Sequence, residues 1–403
     1  MIEPHGPLRG VKVVACSTAQ AGTVPYMLMA DLGAEVIKVE PVRGDGMRHV
    51  GMAFIGCQRG KLDIAVDVKT PEGLEVVLQL AEMADVVHHN MTKGTATRLG
   101  IDYDSLSARN PDLVHCNTYA YGLEGPLSDF GGLDPLYQAA CGLEYEAGPV
   151  AEGNAPLYLR FGMADTANAM VSVIGVLAAL YHRRRTGEGQ DLWTSLLNGA
   201  AVFGSDVFLV DGEPGPARPG LDRNQTGVSP CCRLYETQAG WLQVAALGPG
   251  HWARLCGVLG RPELDRYDTV DARVSARTEI EPELEPVFRT RTAVAWYHVL
   301  AEAGVPAEVS VDSNDGEGVL HDADNERLGL VAQYPHPLLG QVRQFGTLID
   351  FSETPTGPYG PPPLVGEHTR RIMERLGYSG EEIDDLLAQK IIYESGEDYA
   401  WPV

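Results

Sequence analysis

The sequence predicts an α/β protein with a Rossmann-like parallel sheet in a large domain and a second, smaller α+β domain. Three observations support this prediction. Short apolar runs alternate with helical segments over roughly the first 120 residues, which is the rhythm of βαβ units. Residues that end or open helices stand between these runs, as Gly33 and Pro71 do. With 403 residues, the chain also exceeds the size of one ordinary core.

The strands of the large domain are predicted from short apolar runs. They are expected at residues 11–16, 35–40, 63–68, 85–90 and 113–117. One helix is predicted at 25–32, and another opens at Thr70 with Pro71 in its first turn. Ligands of parallel sheets bind beyond the carboxyl ends of the strands, so the segments that follow the first four strands are expected to surround one cleft.

Composition divides the chain further. The predicted parts are residues 1–211 for the large domain, 212–230 for a linker, 231–330 for the small α+β domain and 331–403 for a segment that returns to the large domain. The linker is rich in glycine and proline. A hairpin is expected around Ala239 and Gly240, and Ser379 with Glu382 has the spacing of a helix capping box.

Charge and cysteine usage limit the partners. The net charge of −24 argues against a surface for nucleic acid or for an anionic membrane, since such surfaces need clustered lysine and arginine. No apolar run is expected to reach membrane-spanning length. The N-terminus lacks the features of a signal peptide, and the seven scattered cysteines are expected to be reduced thiols. A cytoplasmic protein without nucleic-acid or membrane partners is therefore expected.

Motifs of common cofactors and catalytic sites are missing from the sequence. G-x-G-x-x-G follows none of the predicted strands, so NAD or FAD is not expected. The G-x-S-x-G elbow and the P-loop are also missing. There is no H-E-x-x-H or C-x-x-C motif, and His88 and His89 should point to opposite faces of a strand. Neither a metal nor a tightly bound cofactor is expected.

Asp165 is the candidate catalytic residue. It stands just ahead of a long apolar run, where the dipole of a helix favours a charged carboxylate. On position alone, an aspartate here is more often an N-cap. The alternative is a nucleophile that accepts an acyl group as a mixed anhydride and needs no metal. The missing motifs favour the nucleophile.

Eight basic residues lie in or after the strands that should end at the cleft. Each could be a solvated surface charge, which is the usual state of lysine and arginine. Together, in a protein of such negative charge, they suggest a polyphosphate ligand as the alternative. They are Lys38, Arg43, Arg48, Arg59, Lys61, Lys69, Lys93 and Arg98.

Several segments along the chain occur in a specific order and spacing. They are residues 7–13, 30–40, 44–45, 65–73, 98–100, 109–114, 174–180, 186–190, 366–369 and 376–379. Through these segments the sequence resembles the class III coenzyme A transferases. This family includes formyl-CoA and carnitine CoA transferases and also α-methylacyl-CoA racemase. The resemblance runs nearly from end to end.

The resemblance implies a CoA transferase that acts on an acyl-CoA and a carboxylic acid, and an interlocked homodimer. Asp165 falls at the acyl-accepting aspartate of the family, with Ala164 where a glycine is usual. An aspartyl-acyl anhydride and then an aspartyl-CoA thioester are the implied intermediates. Backbone N–H groups at the start of the helix are expected to hold the developing oxyanion.

The resemblance also implies contacts with CoA. Gln20 matches a residue along the thiol arm, and Asn90 with Met91 matches an Asn-Phe pair on the pantetheine path. Val66 and Lys69 match residues near the adenine and the phosphates.

Further cations are expected at the CoA phosphates. Arg98 matches a phosphate-binding arginine. Pro41 replaces another arginine of the family, and Arg43 or Arg48 is expected to serve instead. Lys38, in the strand just before, is the remaining cation expected at CoA.

Two other functions stay open. The racemase branch moves a proton at the α-carbon with a histidine and an aspartate, helped by a supporting glutamate, but Leu133 stands at the place of the histidine and Gly248 at that of the glutamate. Leucine cannot transfer a proton, which favours CoA transfer. A CoA-binding protein without turnover is the other alternative, and the presence of Asp165 argues against it.

Overall fold

The computed structural model describes residues 5–147, 156–205, 207–215, 220–222, 224–248, 250–311 and 318–396. The α-helices within these ranges are, in chain order, α1 (Ala19–Asp31), α2 (Met52–Ile55), α3 (Pro71–Glu82), α4 (Lys93–Leu99), α5 (Tyr103–Ser107), α6 (Asp134–Ala140), α7 (Leu143–Ala147), α8 (Met163–Thr186), α9 (Leu196–Val202), α10 (His251–Val258), α11 (Val270–Ser275), α12 (Arg277–Phe288), α13 (Ala293–Glu302), α14 (Ala323–Arg327), α15 (Thr369–Arg375) and α16 (Gly380–Ala388).

The strands are short, and most of those in the first half of the chain are buried. They are β1 (Lys12–Cys16), β2 (Glu35–Glu40), β3 (Leu62–Val66), β4 (Val86–His89), β5 (Val114–Tyr119), β6 (Gln190–Ser195), β7 (Leu209–Val210), β8 (Glu213–Pro214), β9 (Gly227–Ser229), β10 (Cys232–Glu236), β11 (Trp241–Ala245), β12 (Ala307–Ser310), β13 (Val331–His336), β14 (Gly340–Phe345) and β15 (Ile392–Tyr393).

The chain groups into two compact units. The first comprises Met1–Leu143, Leu159–Asp206 and Ala323–Val403, and the second comprises Glu144–Tyr158 and Val207–Asp322. The predicted linker at 212–230 differs from this division, because β9 lies within it and pairs with β10 in the sheet of the second unit. The chain also passes into the second unit at Glu144–Tyr158, an excursion that composition does not signal.

The first unit is built on a seven-stranded sheet with the order β15-β3-β2-β1-β4-β5-β6. Strands β1 to β6 are parallel, and β15 is antiparallel to β3. Without β15, this is the 3-2-1-4-5-6 order of the Rossmann fold, so the predicted parallel sheet is confirmed. The order reverses between β1 and β4, and ligands of such sheets bind in the crevice that opens there.

Helix α1 begins earlier than predicted. The prediction placed its start at Pro25, but the helix starts at Ala19 and contains the proline. Most of its residues are buried, so packing outweighs the local cost of the proline ring. The longer helix carries Gln20 and Ala21 to the end of β1, at the crevice.

The expectation that no apolar run reaches membrane-spanning length is wrong for helix α8. Its 24 residues are long and apolar enough to cross a membrane by length and composition. Core helices of globular domains meet the same criterion. Here the helix packs against α1 and α9 and carries the buried polar residues Asn168 and Ser172 towards β5 and β6. Its place beside the sheet sets the position of Asp165.

Several local predictions are confirmed. Thr70 accepts a hydrogen bond from the N–H of Gly73, with Pro71 at the first helical position. Ser379 and Glu382 form the predicted capping box at the start of α16.

The second unit contains the predicted hairpin. Strands β10 and β11 pair antiparallel within a four-stranded sheet of order β12-β11-β10-β9. Its core is formed by aromatic and aliphatic residues of the sheet and of helices α10, α12 and α13, among them Trp252, Phe288 and Trp296.

Candidate functional site

Two cavities open at the crevice between β1 and β4. One, of about 280 Å³, is lined by Asp134 and Asp165. The other, of about 380 Å³, follows the ends of β1 and β2. They share four lining residues, so they lie side by side. The shared residues are Thr18, Met47, Asn90 and Met91.

Asn90 joins the two strands that flank the crevice. Its side chain accepts a hydrogen bond of 3.0 Å from the N–H of Thr18 and donates one of 2.7 Å to the carbonyl of the same residue. Gly22 permits this contact, because a Cβ there would lie 2.7 Å from the Asn90 amide nitrogen. The predicted pair Asn90 and Met91 therefore lines the site, with Asn90 also fixing the shape of its floor.

Asp165 does not cap its helix, so the N-cap interpretation is wrong. Gly162 holds the N-cap position of α8, and Asp165 lies in the first turn with its side chain at the wall of the smaller cavity. In that place the carboxylate is free of a capping role and faces the space that a substrate can enter.

A second carboxylate holds the main chain of Asp165. The N–H of Asp165 donates a hydrogen bond of 2.8 Å to Asp134 Oδ2. The amide of Gln138 donates to the other oxygen of Asp134 and, at 2.7 Å, to the carbonyl of Phe161. Asp134 and Gln138 are both buried, so this contact fixes the start of α8.

Burial and, as a smaller contribution, the negative charge of Asp134 raise the pKa of Asp165 to about 7. A hydrogen bond from the backbone of Ala21 opposes these effects. A carboxylate with this pKa is more basic than usual, and it is largely ionised just above neutral pH. Both properties suit a nucleophile.

Helix α9 packs closely on the start of α8. A Cβ at Gly199 would lie 2.6 Å from the carbonyl oxygen of Ala164 and 2.6 Å from the nitrogen of Asn168. Ala164, where the family usually has glycine, is fully buried in this contact. The lack of a side chain at Gly199 therefore lets α9 approach the backbone at the start of α8.

Three of the backbone N–H groups expected to hold an oxyanion are already engaged. The N–H of Met163 donates to Phe161, that of Asp165 to Asp134, and that of Thr166 to Gly162. The expected role of these three groups is therefore wrong for the described conformation. Gln20 lies beside them and donates to the hydroxyl of Thr166 at 2.9 Å.

Lys38 lines the larger cavity, but its ammonium group is engaged within the protein. It donates to the carbonyl of Ser17 at 2.9 Å and to Asp45 at 2.8 Å. Burial alone would raise the pKa of Asp45, yet Lys38 and hydrogen bonds from Lys38, Thr18 and Met47 lower it. Lys38 thus builds the wall with an internal ion pair.

Three further basic residues are buried and bonded within the protein. They are therefore neither solvated surface charges nor ligands of a phosphate, so both interpretations of them were wrong. Arg48 forms two hydrogen bonds with Glu40, at 2.9 and 2.5 Å. Arg59 pairs with Asp31, and Lys61 donates to the carbonyls of Thr23 and Cys57 and to Gln58. The sequence gives no spacing that distinguishes these residues from exposed cations. Arg48 is therefore not a free replacement for the arginine lost at Pro41.

The other four basic residues are exposed. Val66, which was predicted to lie near the adenine, is not. Arg43, Lys69, Lys93 and Arg98 lie at the surface. Arg98 donates to the hydroxyl of Thr95 at 2.9 Å. Val66 is fully buried in the core of the first unit, and its neighbour Val68 lines the larger cavity.

His88 and His89 lie on opposite faces of β4, as predicted. His88 contacts Tyr26 and Thr118, whereas the ring of His89 lies 5.0 Å from that of His115 and is tilted by 57° to it. Burial and, as a smaller contribution, the neighbouring His115 lower the pKa of His89 to about 3. These buried rings belong to the sheet interior.

Sequence reasoning missed three residues that build the site through their hydrogen bonds, namely Asp134, Gln138 and Asp45. The spacing of Asp134 and Gln138, with Pro135 between them, is a helix-opening signal that could have drawn attention to this segment. Their relation to Asp165 depends on how α6 packs against α8, which no local pattern reveals.

Comparison with known proteins identifies the family. Residues 8–369 match CoA-transferase family III. The human succinyl-CoA:glutarate CoA-transferase is 30% identical over 402 residues, which cover 96% of this chain and 90% of the relative. The (R)-2-hydroxy-4-methylpentanoate CoA-transferase of Clostridioides difficile is 28% identical, with coverages of 96% and 99%.

A solved structure is similar throughout. The crystal structure of a CaiB/BaiF family protein from Brucella suis gives a TM-score of 0.77 at 28% identity, covering 92% of this chain and all of that chain. The chain therefore belongs to CoA-transferase family III, and it is an enzyme that transfers CoA.

Proposed function

We propose that this enzyme transfers CoA from an acyl-CoA to a carboxylic acid through covalent intermediates on Asp165. A carboxylate oxygen of Asp165 attacks the thioester carbonyl, the C–S bond breaks, and CoA leaves as a thiolate. The thiolate attacks the Asp165 carbonyl of the resulting anhydride and releases the donor acid. This leaves CoA on Asp165 as a thioester.

The second half reverses the chemistry with another acid. The acceptor carboxylate attacks the Asp165 thioester and expels the CoA thiolate, which forms a new mixed anhydride. The thiolate then attacks the acceptor carbonyl, so that the new acyl-CoA leaves and Asp165 is again a free carboxylate. Each step exchanges one acyl bond for another, and no external reductant or oxidant is needed.

The observation that supports this proposal is the setting of Asp165. Its partly buried carboxyl lines a cavity at the switch point of the sheet, with its main chain fixed by Asp134. Fixed geometry favours attack on a bound thioester, because the reacting groups are already positioned.

The larger cavity is the proposed path of the pantetheine arm, between Asn90, Met91 and the end of β2. We propose the exposed cations Arg43, Lys69 and Arg98 as contacts of the CoA phosphates, since the buried ones are bonded internally. Gln20, beside Thr166, is proposed to contact the thioester end of the arm.

The names of the relatives supply candidate acids for this chain. Glutarate and succinate represent dicarboxylic acids, and 2-hydroxy-4-methylpentanoate represents an acid with an apolar branched chain. We further propose that the enzyme is a homodimer, which the family resemblance implies, and that it acts in the cytoplasm. Light scattering and cell fractionation would test these two proposals.

Trapping of the covalent intermediate tests the mechanism. The enzyme is incubated with a panel of acyl-CoAs and then with hydroxylamine, and its peptides are analysed by mass spectrometry. A hydroxamate on the peptide that contains Asp165 is expected with productive donors. Asp165→Asn should form no adduct and show no transfer while its affinity for CoA remains. Transfer by Asp165→Asn would contradict the proposed mechanism.

The racemase alternative has a separate test. Leu133 lines the cavity beside Asp165. Because leucine has no ionisable group, the side chain at this place cannot transfer a proton. Incubation of a 2-methylacyl-CoA in deuterated water should therefore leave its α-proton unexchanged. Rapid exchange without transfer would favour racemisation.

A further inference from the structure

Two buried histidines form a pair at the end of β4. His89 is the last residue of β4, just before Asn90 and Met91, and His115 lies in the neighbouring strand β5. Their ring centres are 5.0 Å apart, and the two residues are only 1% and 3% exposed. Because both rings are buried within one chain, their arrangement does not depend on contacts with a second copy of the chain.

A hydrogen bond at the outer nitrogen of each ring determines where the proton of that ring lies. The N–H of Met91 donates to His89 Nδ1 at 3.4 Å, and burial, with a smaller contribution from His115, lowers the pKa of His89 to about 3. His89 is therefore neutral and carries its proton on Nε2. Nδ1 of His115 lies 2.7 Å from a carboxylate oxygen of Asp191 and donates to it, so the neutral ring presents the lone pair of Nε2.

The two inner nitrogens are thus a donor and an acceptor. Nε2 of His89 and Nε2 of His115 are both shielded from solvent, and neither has a hydrogen-bond partner among the described residues. The same holds for Oδ1 of Asn117, which pairs in register with His89 and lies two residues after His115 in β5. Buried polar atoms without partners are unfavourable, so a small polar ligand is expected between them.

One water molecule satisfies this set of atoms. It accepts the N–H of His89 and donates its two hydrogens to His115 and Asn117, and about three hydrogen bonds are typical of a buried water. A metal ion does not fit the same atoms. It would need the lone pair of His89 Nε2, and the proton would then move to Nδ1, which accepts from Met91.

We propose that the two histidines and one buried water form a hydrogen-bonded bridge from Asp191 to the main chain of Met91. Through this bridge, His89 and His115 act as positioning residues for Met91, which lines both cavities. The inference rests on the proposed passage of the pantetheine arm along Met91, and it adds residues that do not touch the substrate.

A crystal structure of the enzyme at a resolution that shows bound water tests the bridge directly. Density for one water within hydrogen-bond distance of both Nε2 atoms is expected. A direct hydrogen bond between the two rings, or a space between them without density, would overturn the inference.

Two variants of His115 test the positioning role. His115→Gln places an amide where Nε2 stands and keeps the contact with the water, whereas His115→Asn reaches only the position of Nδ1. His115→Asn should raise the KM for acyl-CoA about three- to tenfold at unchanged kcat, which is the range expected for one lost hydrogen bond. His115→Gln should stay close to the wild-type KM. Urea unfolding checks that both variants are folded, and equal effects of the two, or an effect on kcat alone, would overturn the positioning role.

Trapping with hydroxylamine separates this inference from the proposed mechanism. If the adduct on Asp165 forms in the wild type and in both variants while the KM is the same in all three, only the positioning role fails. If the wild type forms no adduct with any donor, the proposed transfer fails. Titration calorimetry of the same three proteins with CoA then decides the positioning role without turnover.

Discussion

The main-chain N–H of Asp165 lies 2.8 Å from a carboxylate oxygen of Asp134 and donates a hydrogen bond to it. One carboxylate therefore positions the backbone of the other and at the same time opposes its ionisation. The burial of Asp165 adds to this effect, so that its pKa lies near 7.

The first prediction concerns the pH dependence of the acyl transfer to Asp165. The rate should rise with pH and reach half of its maximum near pH 7, since the ionised carboxylate is the nucleophile. Asp134→Asn keeps an oxygen acceptor for the Asp165 N–H but removes the charge, so it should lower the midpoint. Single-turnover release of CoA across the pH range measures this. An unchanged midpoint in Asp134→Asn would limit Asp134 to a structural role.

The second prediction concerns stability. The folded-state pKa of Asp165 lies above its unfolded value, so the stability it contributes is full below about pH 4 and is lost as pH rises through about 7. Asp165→Asn does not ionise and escapes this loss. At pH 8 the variant should be more stable by up to about 4 kcal/mol, with the difference vanishing near pH 4. Urea unfolding at both pH values measures it, and a difference independent of pH would contradict the assignment.

The third prediction concerns the buried pair of Arg59 and Asp31. Arg59 also donates to the carbonyl oxygens of Phe345 and Gly346, so it joins separate parts of the first unit. Arg59→Met leaves Asp31 buried without its cation and should cost about 3 to 5 kcal/mol in unfolding free energy. The double variant with Asp31→Leu should recover much of this loss. Denaturant titration compares the wild-type protein with the two variants. A loss below about 1 kcal/mol in Arg59→Met would show that the buried pair contributes no more than a solvent-exposed ion pair does.

The fourth prediction concerns the CoA phosphates. Lys69→Ala and Arg98→Ala should each raise the KM for acyl-CoA several-fold with little change in kcat, because they remove charges distant from Asp165. Arg109→Ala is the matched control, since Arg109 is exposed, pairs with Glu75 and Glu82, and precedes the amino end of β5, whereas the crevice opens at the carboxyl ends of the strands. An equal rise in KM in all three variants would show that the overall charge of the protein, and not a contact of Lys69 or Arg98 with the phosphates, determines the affinity for acyl-CoA.

The fifth prediction concerns the contact of α9 with α8. Gly199→Ala places a methyl group 2.6 Å from the backbone of Ala164 and Asn168, so the start of α8 must move. A lower kcat is expected with nearly unchanged affinity for CoA, since small displacements of a nucleophile slow the reaction strongly. Gly257→Ala, in a helix position with open space, is the control and should leave activity unchanged. A fully active Gly199→Ala would contradict the positioning role of this contact.

The fold was largely predictable because its signals are local. Alternating apolar runs and glycine or proline boundaries indicated β1 to β5, and the crevice follows from parallel topology. The predicted start of α1 at Pro25 was wrong. A proline is unfavourable inside a helix, and the burial that compensates for it depends on tertiary packing, which the sequence does not reveal.

The candidate site was predictable in part. Asp165, Asn90 and Met91 line it as the family resemblance implied. The basic residues were not separable from sequence, since Arg48 and Arg59 find their carboxylates 8 and 28 residues away in the chain. Asp134 escaped notice for the same reason: its partner at Asp165 is 31 residues distant.

The buried ion pairs have a kinetic consequence for the encounter with CoA. In each of the pairs Lys38–Asp45, Arg48–Glu40 and Arg59–Asp31, the two charges cancel inside the protein, so the net charge of −24 resides elsewhere. CoA is itself a polyanion and must approach a molecule of like charge. Dissolved salt screens this long-range repulsion, so moderate ionic strength should accelerate capture of acyl-CoA, the reverse of the slowing that salt imposes on electrostatically attracted partners.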